Sequence, residues 1–296
     1  MRTPIVLIVR DGWGIGHDYP GNAVALARPH VLAHLLATYP HTVLGAAGRA
    51  VGLRPGYQGS SEVGHLNMGA GRVVEQEIVR VDKLIESGEL FRHPALLTAT
   101  EHCRRHDSAL HFMGLLQDQG VHATEEHLYV LLDLARREGL TRVFVHVFSD
   151  GRDTPPRSAL TFIDRLERKM AALDVGRIAS VTGRYYAMDR ALNWDRIQRA
   201  YDALVHATGL RAPSAKAAIE QAYARADATI AARANKTAPA GTLIETDEFV
   251  QPTLITGPDG APLATIHAGD AVVHFNYRQD RAIQLTRAFV DDDFDG

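Results

Sequence analysis

The chain of 296 residues contains a single cysteine, Cys103. That excludes an internal disulfide and fits a reducing compartment. It also lacks any excess of positive charge, since 32 Lys and Arg stand against 35 Asp and Glu for a net charge of −3. No global basic field recruits nucleic acid, so clustered arginines must act locally. Long hydrophobic runs are missing as well. The N-terminal apolar run ends at Arg10 and Asp11, too short for a secretion signal or a membrane span. The expectation is a cytoplasmic protein without a nucleic-acid or membrane partner. Internal repeats and low-complexity tracts are absent, and a hydrophobic content of 46% provides for one large or two medium domains.

Compact metal-ligand motifs are scarce too. His102, Cys103 and His106 share helical spacing, as do His122 and His127. Arg104 and Arg105 would repel a cation from the first set, which reads as a solvated helix face. The terminal acidic run of Asp291, Asp292, Asp293 and Asp295 reads as a solvated loop. Gly45-Ala46-Ala47-Gly48 is too little to mark a dinucleotide site.

What is present is a repeated pattern. Strand-like apolar runs each lead into groups suited to phosphate or metal chemistry. Pro4 to Val9 runs into Arg10-Asp11-Gly12-Trp13-Gly14, and Leu110 to Leu116 into Asp118-Gln119-Gly120-Val121-His122. Val143 to Phe148 runs into Asp150-Gly151-Arg152-Asp153, and Ile178 to Val181 into Gly183-Arg184-Tyr185. Ala271 to Phe275 runs into Asn276-Tyr277-Arg278-Gln279-Asp280-Arg281. Helical stretches alternate with these runs: Glu125 to Glu138 with Leu128, Leu131, Leu132 and Ala135 on one face, Ser158 to Leu173 after Pro155-Pro156, and an Ala-rich segment from Ala215 to Ala234. Residues 235–241 read as a polar loop, and Thr253 to Ile266 as a β-hairpin around Gly257-Pro258-Asp259-Gly260. Alternation of this kind implies an α/β fold of mostly parallel sheets with helices on both faces, whose ligands bind beyond the carboxyl ends of the strands.

The chemistry of those ends is consistent. Arg152, Arg184, Arg190, Arg278 and Arg281 are planar forks that grip phosphate and carboxylate, while Asp11, Asp153 and His122 can bind metal or move protons. The expected ligand is a small polyanion. Ser60 and Ser61 precede the apolar Val63, Leu66 and Met68, where a serine can cap a helix, and one beside a helix start can attack phosphorus.

These motifs resemble the cofactor-independent (2,3-bisphosphoglycerate-independent) phosphoglycerate mutases of the alkaline phosphatase superfamily. The resemblance runs from Asp11-Gly12-Trp13-Gly14 through Ser61-Glu62-Val63-Gly64-His65-Leu66-Asn67, Asp150-Gly151-Arg152-Asp153-Thr154-Pro155-Pro156 and Gly183-Arg184-Tyr185-Tyr186-Ala187-Met188-Asp189-Arg190 to Asp280-Arg281. It implies 3-phosphoglycerate and 2-phosphoglycerate as substrates, a phosphoserine intermediate on Ser61, and two manganese ions with Asp11 and Ser61 among the ligands. It also implies that Asp153 moves the substrate's hydroxyl proton, that His122 and Arg152 orient the substrate, and that Arg184, Arg190, Arg278 and Arg281 hold its charges. No 2,3-bisphosphoglycerate is required.

The sequence departs from the family at Ser60, where Asn is usual, and at Arg10, which interrupts an apolar strand end. Ala123 and Thr124 replace the family's Ser-His, and Ala191-Leu192-Asn193 replaces an acidic and basic pair before Trp194. By the resemblance, residues 1–76 are the opening of a split phosphatase-like domain, and residues 77–296 an inserted substrate-binding domain cut short at its C-terminal end. The chain crosses between them within Val73 to Asp82. The remaining metal ligands of the family lie beyond Gly296: either the chain is a truncated product, or a complementing C-terminal chain is a partner in this usually monomeric lineage. The other readings are a fragment that binds phosphoglycerate without turnover, and a metal-dependent phosphatase or phosphopentomutase-like enzyme.

Overall fold

The computed structural model describes residues 4–239 and 241–294. Asp295 of the acidic terminus and position 240 of the 235–241 loop lie outside them. The chain divides into two compact units, residues 1–79 and 80–296. The division falls inside the helix Glu77–Glu86.

Unit 1 carries the short helices α1 (Ala23–Leu26) and α2 (His30–Thr38), then α3 (Ser61–Ala70) and the start of α4 (Glu77–Glu86). Its buried apolar side chains include Val51, Leu53 and Val63. The Asn67 amide ties this patch together, donating to Val51 O at 3.1 Å and accepting from Val74 N at 2.7 Å. Gly52 is required here: its φ is +80°, and a Cβ would meet Val74 O at 2.0 Å. The strand expected over Pro4 to Val9 is not formed. Ile5 is 97% exposed, and Val6, Leu7 and Ile8 are similarly open. A strand needs a neighbour for its backbone N–H and C=O groups, and this run has none among the described residues.

Unit 2 is built on one six-stranded sheet. Its strands are β1 (Leu110–Leu115), β2 (Val143–Ser149), β3 (Arg177–Gly183), β4 (Leu210–Ala212), β5 (Thr253–Ile255) and β6 (Ala271–His274), in the order β4-β5-β3-β2-β1-β6. Pairings β2–β3, β1–β2 and β1–β6 are parallel, and β3–β5 is antiparallel. The apolar runs predicted as strands at Leu110, Val143, Ile178 and Ala271 are therefore β1, β2, β3 and β6. Every residue of β1 and β2 is buried, as expected of strands covered on both faces. The expected hairpin over Thr253 to Ile266 is β5 followed by a turn, with only an isolated bridge between Thr256 and Pro262.

The helices of this unit are α5 (Pro94–His106), α6 (Glu125–Arg137), α7 (Ala159–Leu173), α8 (Arg184–Ala187), α9 (Trp194–Val205), α10 (Ala215–Ala234) and α11 (Ile283–Val290). On α6 the predicted face of Leu128, Leu131, Leu132 and Ala135 is buried, with acids in the first turn and bases in the last, matching the helix dipole. Ala215, Ala218, Ile219, Ala222 and Ala226 form the buried face of α10. The N-terminus of α7 is held from a distance: Asp247 Oδ2 accepts Ser158 N at 2.7 Å and Ala159 N at 2.9 Å, and Tyr223 donates to its other oxygen. On α4, Val81, Leu84 and Ile85 pack against the core of this unit, and Asp82 pairs with His127 of α6 at 2.9 Å.

A polar row crosses the middle of the apolar sheet. Asp270 Oδ2 lies 3.3 Å from His111 Nε2, His111 Nδ1 lies 3.0 Å from His146 Nε2, and His146 Nδ1 lies 2.8 Å from Ser180 Oγ. His111, His146 and Ser180 belong to β1, β2 and β3 and are fully buried. Burial holds both imidazoles below the ordinary histidine range. They are neutral, each donating from one nitrogen and accepting at the other.

Candidate active site

Because β1, β2, β3 and β6 run parallel, their carboxyl ends lie on one edge of the sheet. The loops that leave this edge carry His122, Asp150 to Asp153, Arg184 and Arg278 to Arg281. Each loop is shaped by its own sequence. After β1, the Gln117 side chain accepts Gly120 N at 3.2 Å and donates to Ala123 O at 3.0 Å, which folds the segment bearing His122. After β2, Asp150 Oδ1 accepts Arg152 N at 3.2 Å and Asp153 N at 3.1 Å, a tight Asx turn. After β3, Gly183 lets the chain pass so close to the next layer that a Cβ would meet Glu248 O at 2.4 Å.

The centre of the cluster is Arg184, which is 3% exposed. Its Nη1 donates to Asp150 Oδ1 and to Asp153 Oδ2, each at 2.6 Å. Burial lowers its proton affinity, and the charges and hydrogen bonds of Asp150 and Asp153 outweigh that and raise it. Asp150 is 2% exposed, and its Oδ2 has no hydrogen bond. A buried guanidinium held by carboxylates is costly to break, because the surviving charges lose their partner.

His122 sits beside this centre, with Nε2 3.9 Å from Asp153 Oδ2 and Nδ1 3.7 Å from Asp280 Oδ1. Burial, then the positive charges of Arg184 and Arg278, pushes its pKa down to about 3 against the opposing pull of Asp280 and Asp153. The ring is neutral near pH 7, and its buried Nδ1 has no hydrogen bond. Asp280 Oδ2 accepts from Arg190 Nη1 at 2.6 Å, while its Oδ1 lies 3.1 Å from Arg278 Nε. Burial raises Asp280, but the Arg190 hydrogen bond and the charges of Arg278 and Arg190 hold it below the ordinary carboxylate range. Arg281 donates to Met188 O at 3.0 Å. Burial, then the guanidiniums of Arg184, Arg190 and Arg152, presses it below the usual arginine range. Arg152 reaches Glu248 at 3.3 Å.

Thus His122, Arg152, Asp153, Arg184, Arg190, Arg278 and Arg281 all belong to one charged group. The sequence alone presents the arginines as free to grip a ligand and does not single out their counter-ions Asp150, Asp280 and Glu248. The signal was present, since Asp150 precedes Gly151-Arg152 and Asp280 lies between Arg278 and Arg281. Asp189 also went unremarked. It accepts Ala191 N at 2.8 Å, Asn193 N at 2.9 Å and Gln284 Nε2 at 3.1 Å, fixing the loop behind Arg190. The departure at Asn193 is accommodated there, its side-chain amide donating to Asp189 Oδ2 at 2.9 Å.

Unit 1 holds the other predicted residues. Ser60, not Ser61, is the N-cap of α3, its hydroxyl accepting Val63 N at 3.4 Å. Ser61 is the first helical residue, so its Oγ is available for other work. It donates to Asp11 Oδ2 at 2.7 Å and lies 3.2 Å from His65 Nδ1. Arg10 stacks on Trp13, with its guanidinium carbon 3.5 Å from the ring centroid. Asp11 and Ser61 are the hard oxygen donors that manganese favours. Among the described residues, however, no group of three or more His, Cys, Asp and Glu side chains is placed to hold a metal ion. The donor set among the described residues is therefore insufficient for the expected pair of ions. His122 and His127 do not share a helix face, since His122 lies in the loop before α6. On α5, His102 instead bonds Gly269 O at 2.8 Å and Cys103 is buried.

Known proteins are similar to the chain over almost its whole length. The chain is 54% identical over 291 residues to the 2,3-bisphosphoglycerate-independent phosphoglycerate mutase of Chloroflexus aurantiacus, covering 98% of this chain and 50% of that protein. It is 50% identical over 295 residues to the enzyme of the same name from Clostridium novyi, covering 100% of this chain and 54% of the relative. A crystal structure of Leishmania mexicana phosphoglycerate mutase, determined at low cobalt concentration, superposes with a TM-score of 0.83 at 35% identity, covering 97% of this chain and 51% of that one. The chain spans about half the length of the curated relatives it matches. Residues 81–296 match the family described as BPG-independent PGAM N-terminus, and the chain belongs to that family.

Proposed function

We propose that the chain is the substrate-binding portion, together with the nucleophile-bearing segment, of an isomerase that interconverts 3-phosphoglycerate and 2-phosphoglycerate. The observation that carries this reading is the group of arginines and proton-moving side chains gathered where β1, β2, β3 and β6 end. In this reading, unit 1 is the opening of the phosphatase-like domain and unit 2 the substrate-binding domain. The arginines hold phosphate and carboxylate by charge-assisted hydrogen bonds. His122, kept neutral by burial and by Arg184 and Arg278, offers a hydrogen bond without adding charge.

The phosphoryl group passes from one glycerate oxygen to Ser61 Oγ and then to the other glycerate oxygen. In the first step the P–Oγ bond forms, the original ester P–O bond breaks, and the Ser61 proton moves to Asp11, to which Ser61 already donates. In the second step the other glycerate oxygen attacks the phosphoserine, and the proton returns to Ser61. Asp153 carries the substrate's hydroxyl proton from the attacking oxygen to the one that left. The manganese ions of the family would steady the transferring charge. Their remaining ligands come in this reading from the part of the relatives' length that this chain does not span, in a cytoplasmic protein that needs no 2,3-bisphosphoglycerate.

The lack of a three-donor metal group among the described residues favours a second reading for this chain alone, in which it binds phosphoglycerate without turnover. Phosphorus NMR of the chain with 3-phosphoglycerate and manganese separates the two. Formation of 2-phosphoglycerate supports the mutase, and broadening or shift of the substrate signal by the chain before manganese is added, without conversion afterwards, supports the binding fragment. A substrate spectrum unperturbed by the chain before manganese is added, with no conversion afterwards, overturns both.

A further inference from the structure

Asp280 differs in kind from the other carboxylates of the site. Asp150, like its partner Arg184, is almost wholly buried, with side-chain exposures of 1% and 2%. Asp280 is 31% exposed, and its oxygens are divided between arginines from different elements: Oδ2 on Arg190, itself 49% exposed, and Oδ1 beside Arg278. A carboxylate of the protein thus occupies the space between guanidiniums that face a ligand anion in the proposed function. The arrangement is open enough for solvent, and so for a small anion, to reach. It is also balanced, because His122 Nδ1 at 3.7 Å adds no charge to either side.

We propose that Asp280 is an internal counter-anion that sets the specificity of the site, making it discriminate against ligands with a single anionic group. A lone phosphate gains Arg190 only by taking it from Asp280, and exchanging one anion for another yields little net attraction. A ligand with a second anionic group is held at guanidiniums that Asp280 does not hold, such as Arg281, and leaves the Arg190–Asp280 pair in place. Discrimination is then a difference in affinity maintained by a repulsive group built into the site. The inference rests on the reading that Arg190 and Arg278 face the ligand's charges.

The test uses the full chain and its variants Asp280→Asn, Asp280→Ser and Asp280→Glu, each titrated by calorimetry with inorganic phosphate and with 3-phosphoglycerate. Loss of one repelling charge a few ångströms from a bound anion is expected to tighten phosphate about tenfold in both neutral variants, the equivalent of about 1.4 kcal/mol. Phosphoglycerate affinity is expected to change less than about threefold, so the preference between the two ligands collapses. Asp280→Glu is expected to keep the wild-type preference. Weaker phosphate binding in the neutral variants, an equal change for both ligands, or no phosphate binding by any form overturns the proposal. Failure of both neutral variants to fold also overturns it, assigning Asp280 a structural task. If phosphoglycerate does not bind but phosphate does, the proposed function fails, while the phosphate titrations still decide the role of Asp280.

Discussion

Unit 1 and unit 2 come from one continuous sequence and share the same kind of apolar run, yet they end differently. In unit 2 the runs at Leu110, Val143 and Ile178 find one another and become the buried centre of a sheet. In unit 1 the run from Pro4 to Val9 is as apolar, and it remains exposed without a strand. The lesson is that a strand-like sequence states a need, which is met only when another segment supplies the opposite row of hydrogen bonds. The helices of unit 1 form because their bonds are local.

Acidification should separate the units most strongly. His111, His146, His122 and His274 are all in unit 2, and burial holds each below the histidine value of 6.5, His274 at about 4 and His122 at about 3. The unfolded chain takes up these protons near pH 6.5 and the folded unit does not, so the stability they provide is complete above that pH and is lost as pH falls toward 4 and 3. Asp189, Asp270 and Asp280, held below the ordinary range, extend the loss to lower pH. Hydrogen exchange across pH 8 to 4 should show unit 2 protection falling steeply while unit 1 changes little. Uniform loss in both units would contradict the comparison.

Next in size is a matched pair of truncations. Leu166→Ala, at a fully buried position, should cost about 2–5 kcal/mol in urea unfolding through lost burial and a residual cavity. Leu7→Ala, at a position 79% exposed, should stay within about 0.5 kcal/mol. Equal costs would mean that residues 4–9 are packed in solution. An effect smaller than that of Leu166→Ala is expected at a helix end, where Asp247→Ala removes the acceptor for Ser158 N and Ala159 N and should cost about 1–2 kcal/mol. A thermal melt unchanged from wild type would show that solvent replaces Asp247 without penalty.

Legibility followed the range of the interaction. The sequence marks β1, β2, β3, β6, α6 and α10 because apolar period and length are local properties. It does not mark β4, at three residues, since so short a run carries no pattern, and it marks β5 only as the opening of a hairpin that ends in an isolated bridge. Asp247 could not be read as the cap of α7, because the residues it serves lie 88 and 89 positions away. At the site, the arginines stand out in their motifs, but that Arg184 is divided between Asp150 and Asp153, or that Asp280 spans Arg190 and Arg278, is decided by which loops the sheet brings together. The Ser60-Ser61 pair shows the same limit within a few residues. Either could be read as the cap, and only the observed start of α3 gives that task to Ser60 and frees Ser61 for Asp11.

The polar row through the sheet has a directional consequence. Asp270, once ionised, can only accept, so His111 must donate to it from Nε2 and accept at Nδ1. His146 must then donate from Nε2 and accept at Nδ1, and Ser180 must donate to it. One carboxylate thereby dictates the tautomer of each ring and the rotor of a hydroxyl across β1, β2 and β3. Sliding any of these strands by one residue would point its polar group to the opposite face and leave the others stranded in hydrocarbon. The row works as a key cut for a single alignment of the strands, and that alignment sets how far each strand end, with its charged loop, extends beyond the sheet.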